Sequence, residues 1–84
     1  MTKRVAPREI YGLITKAVRK GHKLKVEETA KKAGISVELW KKIEDGKATL
    51  EETINTIVPV SSTLGIDADV FSYIVLELIL GSLD

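Results

Sequence analysis

The chain has 84 residues, room for one domain (1–84), and no cysteine, which excludes a disulfide-stapled fold and the usual thiolate zinc sites. Apolar residues make up 44% and charged residues 30%, a balance that excludes a disordered or low-complexity chain. The net charge is only +1, but residues 1–47 hold all 13 bases and six acids, a net +7, while residues 48–84 hold six acids and no base, a net −6. Such a split points either to a face held against a polyanion or to solvated helices that are merely lysine-rich.

Five helices and no strand are expected, an all-α chain. The start, "MTKRVAPREI", lacks the apolar run of a signal peptide. Pro7 suits a first helical turn. Ile10, Leu13, Ile14 and Ala17 then follow helical spacing, with Arg8, Lys16, Arg19 and Lys20 on the other side and Gly21 as the stop. Gly12 is a mild interior weakness. The second helix is expected from Val26 to Ala33, closed by Gly34 and poorly capped by Lys25. The third starts at its N-cap Ser36 and runs to Asp45, with Leu39, Trp40 and Ile43 as its apolar stripe and Gly46 as its terminator. Only a Gly-Ile turn separates the two, the signature of a helix-turn-helix, here over residues 26–45.

The fourth helix opens with Thr49 and Glu52 at capping-box spacing, and its core candidates are Ile54, Ile57, Val58 and Leu64. Pro59 removes a helical hydrogen bond, so a kink or break is expected near Val58, read either as a switchable element or as a bend tolerated against the core. A fifth helix is expected from about 67 to 83. On a wheel of ~100° per residue, Val70, Phe71, Ile74, Val75, Leu78 and Ile79 cover one half. Tyr73, Leu76, Leu80 and Leu83 form a second apolar stripe. A monomer needs one apolar face, so this second stripe is expected to meet another copy of the chain. The other reading is a helix buried within its own domain. The apolar run is too short to span a membrane, which makes a cytoplasmic protein the expectation.

Nearly the whole chain, residues 8–83, resembles the Cro/C1-type (XRE-like) helix-turn-helix domain of phage repressors and their bacterial relatives. The matching stretch is "LKVEETAKKAGISVELWKKIEDGK", Leu24 to Lys47. Ala30 holds the small residue at the helix crossing; Gly34, Ile35 and Ser36 match the turn; Ile43, Glu44, Gly46 and Lys47 match the "I-E-x-G-K" ending. The apolar C-terminal segment is similar to the restriction–modification controller proteins, which dimerise through their last helix. The resemblance implies a five-helix lambda-repressor-like fold and a homodimeric transcriptional regulator bound to double-stranded DNA at a pseudo-palindromic operator.

On that reading the DNA-facing residues are Lys25, Val26, Ser36, Val37, Glu38, Lys41, Lys42 and Lys47, and the dimer is made by Tyr73, Leu76, Leu80 and Leu83. The chain departs from the family at Val26, where Gln is common, and at Val37 and Glu38, where Arg, Gln, Ser or Thr is usual. The segment after Gly46 is about two residues longer. Val37 suits a thymine methyl, Glu38 a cytosine N4 and Lys41 a guanine O6 or N7. Glu38 otherwise pairs with Lys41 or Lys42, or is simply solvated. The apolar, acidic tip also suits a protein partner, as in an antirepressor, a modulator or an antitoxin. Trp40 reads as core rather than as a stacking platform, and His22 has no second histidine to share a metal with. No catalytic residue, metal or cofactor is expected.

Overall fold

The computed structural model describes residues 7–67 together with Asp69, Ser72, Tyr73 and Leu76. Four helices follow in order: α1 Pro7–Gly21, α2 Val26–Ala33, α3 Val37–Glu44 and α4 Leu50–Leu64, with no strand among the described residues. The expectation of five helices is therefore corrected to four. Asp69, Ser72, Tyr73 and Leu76 have helical backbone but do not delimit an element, and the rest of the expected 67–83 helix lies outside the described residues. Tyr11, Ala30, Trp40, Ile43, Ala48, Ile57, Val60 and Leu64 make one buried cluster drawn from α1 to α4 and the loop before α4. Apolar periodicity marks a segment as greasy; it does not say what that segment packs on.

The ends of the helices form where the sequence places their caps. Gly34 takes the left-handed conformation (φ 73°), and the N–H groups of Gly34 and Ile35 donate to the carbonyls of Lys31 (3.1 Å) and Ala30 (3.0 Å). This Schellman pattern stops α2 and turns the chain directly into α3. Ser36 then caps α3, its Oγ accepting from the Leu39 N–H at 3.0 Å. Lys25 makes no side-chain cap for α2. At α4 both halves of the capping box are present: Thr49 Oγ1 accepts from the Glu52 N–H (3.1 Å), and Glu52 accepts from the Thr49 N–H (2.9 Å).

Two helices bury a face other than the one their aliphatic spacing predicts. In α1 the buried residues are Tyr11, Gly12 and Thr15, with Ile14, Val18 and Arg19 half-buried. Leu13 is 61% exposed, and Ile10 and Ala17 also face out. Gly12 explains the choice. A Cβ there would run into the backbone carbonyl oxygens of Ile43 and Glu44, the latter at 2.9 Å. Here α1 lies directly on the end of α3, and Gly12 is a contact requirement rather than a weakness. In α4, Ile57 and Leu64 are buried as expected, but Ile54 and Val58 are exposed. Their places inside are taken by Thr53, Thr56, Val60 and Ser61. The hydroxyls of Thr53, Thr56 and Ser61 each donate back to a carbonyl of their own helix, at 2.8, 2.7 and 2.6 Å, so burying them leaves no donor unpaired. The helix also runs through Pro59 without a break. The carbonyl that loses its donor belongs to Asn55, which is exposed and within reach of water.

Candidate nucleic-acid interface

The α2–turn–α3 unit is anchored from behind by one carboxylate. Glu44, in the last turn of α3, accepts from Arg19 Nε at 2.6 Å and Arg19 Nη2 at 3.0 Å, and from the indole N–H of Trp40 at 2.5 Å. Arg19 also donates through Nη1 to the Leu24 carbonyl at 2.8 Å. One guanidinium thus ties together α1, the loop into α2 and the end of α3. Both partners of this fork are almost buried, at 11% and 8% side-chain exposure, which places the pair in a poorly screened setting. Hydrogen bonding to Glu44 holds the Arg19 guanidinium above its ordinary value, against the opposing effect of burial. Arg19 was expected on the solvated side of α1; its role as an anchor is not visible in spacing alone. Trp40 is fully buried, as the core reading requires.

The expected DNA-facing residues divide into three groups. Lys25, Lys41 and Lys47 are exposed, and no ion pair engages them among the described residues. Ser36 is exposed too; its oxygen is occupied by the Leu39 N–H, which leaves the hydroxyl hydrogen to donate. Val26 and Val37 form the second group. Both are half-buried and pack against the core, so each offers only part of its side chain to a partner. The third group is acidic or already engaged. Glu38 is exposed and makes no ion pair among the described residues, so the expected pairing with Lys41 or Lys42 does not form. Lys42 instead reaches Glu52 in the first turn of α4, at 2.9 Å to Oε1 and 3.1 Å to Oε2. The Glu52 carboxyl is held below the usual carboxylate range, first by the Thr49 N–H and next by Lys42.

The arrangement can attract a polyanion through scattered exposed ammonium groups, and it places no built anion pocket behind them. Lys47 is kept beside the end of α3 by its own N–H, which donates to the Lys42 carbonyl at 2.9 Å. His22 is exposed in the turn after α1. Among the described residues no cluster of three or more His, Cys, Asp or Glu is placed to hold a metal ion. No helix there is long and apolar enough to cross a membrane. Of the expected dimer residues, Tyr73 and Leu76 are exposed, while Leu80 and Leu83 lie outside the described residues. The chain matches no family model, no curated protein and no solved structure.

Proposed function

We propose that this chain is a cytoplasmic DNA-binding regulator of transcription of the Cro/C1 helix-turn-helix type. It works as a homodimer on a pseudo-palindromic operator, one α3 per half-site, the half-sites about one helical turn (~34 Å) apart. The observation that carries this reading is the α2–turn–α3 unit itself: two eight-residue helices joined through a left-handed Gly34 and presenting exposed Lys25, Lys41 and Lys47. The separation of a +7 half from a −6 half supports the same reading. Backbone phosphates supply most of the affinity, so binding weakens steeply with salt. Lys41 is the residue best placed by type to add base contact.

The test is titration of the folded protein against its own promoter region and against random DNA, at 50 and at 200 mM salt. The expected outcome is tighter binding to the promoter and at least a tenfold loss of affinity at the higher salt, for roughly three or more phosphate contacts. Absence of binding at low salt by a folded protein overturns the reading. A second reading is favoured by Glu38. An unpaired exposed carboxylate beside a half-buried Val37 fits a protein partner better than a phosphate rail. In that case the fold serves an antirepressor or modulator, and Glu38→Gln leaves DNA affinity unchanged. As a DNA reader, the same variant binds DNA more tightly.

A further inference from the structure

The ion pair between Lys42 and Glu52 departs from what the local sequence favours. Glu38 stands one helical turn before Lys42 on α3, the spacing at which a glutamate and a lysine ordinarily pair. Lys42 passes it over and reaches Glu52 on α4, at 2.9 Å to one carboxylate oxygen and 3.1 Å to the other. The reason lies in the cap of α4. Glu52 Oε1 already accepts from the Thr49 N–H at 2.9 Å, so its carboxylate is held at the first turn of the helix whether or not a lysine arrives. Pairing with Glu38 would immobilise two free side chains; pairing with Glu52 immobilises one. The consequence falls on the proposed DNA-facing surface. Lys41 and Lys47 are exposed and make no ion pair among the described residues, whereas the Lys42 ammonium is bound to α4.

We propose that Glu52 is a positioning residue for DNA binding, which holds the Lys42 ammonium on α4 and withholds it from the phosphate backbone. The inference rests on the DNA-binding reading above and names the residue that limits its affinity. Lys41 and Lys47 give up only water when they meet a phosphate. Lys42 must also give up Glu52, so a phosphate that takes it exchanges one ion pair for another. The carboxylate cannot follow the lysine outward, because its cap ties it to Thr49. Lys42 therefore adds positive charge to the surface without adding a phosphate contact. The pair is partly open to water, at 44% and 31% side-chain exposure, so the restraint is mild and one substitution releases it. Glu51 supplies the contrast. It carries the same charge one residue away, is exposed and forms no ion pair among the described residues. It repels a polyanion but holds no lysine back, whereas Glu52 does both.

The salt dependence of DNA binding tests it, because the slope of log affinity against log salt counts phosphate contacts. The full chain is titrated with a double-stranded fragment of its own promoter region, from about 50 to about 200 mM salt. Glu52→Gln should tighten binding about two- to fivefold per half-site and steepen the slope by about one per half-site, since Lys42 is released to a phosphate. Glutamine at this position keeps the capping-box pattern, and circular dichroism checks that the helices remain. Glu51→Gln removes the same charge and should leave the slope as it is. Lys42→Gln alone should also leave the slope unchanged, and adding it to Glu52→Gln should return the slope to that of wild type. Three results overturn the inference while leaving the regulator reading intact: equal slopes in Glu52→Gln and Glu51→Gln, a steeper slope that persists in the double variant, or a Lys42→Gln slope flatter than wild type by about one per half-site. A folded wild type that binds no duplex at the lower salt instead sinks the regulator reading, and the inference with it.

Discussion

α1 packs chiefly on two helices, α3 and α4, and it holds them by different means. Against α3 it uses groups that tolerate almost no displacement: a backbone-to-backbone contact at Gly12 and a guanidinium–carboxylate fork at Arg19 and Glu44. Against α4 it uses a hydroxyl pair, Tyr11 with Thr56 at 2.9 Å, set among aliphatics and threonines. Hydrogen-bonded charges have one good geometry, whereas packed aliphatics have many near-equal ones. α3, the helix proposed to meet DNA, is therefore the one whose position is specified most tightly. α4 is held by the more permissive contact.

The contrast can be broken from the α3 side first. Glu44→Ala leaves the Arg19 guanidinium and the Trp40 indole without their acceptor in a nearly buried setting. It should cost about 3–5 kcal/mol in urea denaturation, the largest effect of any single change named here. Gly12→Ala should cost about 2–3 kcal/mol, because the added Cβ meets backbone atoms that cannot turn aside, and this outweighs the gain of roughly 1 kcal/mol in helix propensity. An alanine at position 12 that leaves stability unchanged would show that α1 and α3 can part.

The α4 side is sharpened by pH. Thr56 spends its hydrogen on the Glu52 carbonyl at 2.7 Å, so in the pair with Tyr11 the phenol is the donor. Burial pushes the Tyr11 phenol up from 10.0 to about 12. A folded-state value above the unfolded one means that this contribution is fully present below pH 10 and is lost as the pH rises through about 12. The expected loss is on the order of 2 kcal/mol over that window. The measurement is the difference between wild type and Tyr11→Phe, which starts about 1 kcal/mol less stable and lacks this part of the fall. The smallest effect is a gain. Thr15 is fully buried and its Oγ1 has no hydrogen-bond partner, so Thr15→Val should add about 1 kcal/mol of stability.

The parts legible in the sequence are those written in cap and turn chemistry. Ser36, Gly34, Gly46 and the Thr49–Glu52 box stand where their residue types place them, and Trp40 and Ile43 are buried as their spacing requires. What spacing missed is the inward face of α1 and half of that of α4. Aliphatic periodicity assumes that oil goes inside. It cannot register a glycine that admits a backbone, or threonines that return their hydrogen bonds to their own helix and so enter the core without an orphaned donor. For the candidate interface, exposure of Lys25, Lys41 and Lys47 followed from charge and position. The partner of Lys42 did not, because Glu52 is ten residues away and belongs to a different helix.

Clamping α3 at its last turn turns the helix into a lever. Eight residues rise about 12 Å, with the fixed point at Glu44 and the reading end at Val37 and Glu38. A tilt of ~10° at the clamp sweeps the far end through about 2 Å, several times the ~0.5 Å tolerance of a positioned contact. Gly12 and Arg19, on a helix with no expected contact to the partner, thus contribute to accuracy at the tip alongside the core packing of Val37 and Trp40. Substitutions there that leave the chain folded would degrade recognition while touching nothing that is recognised.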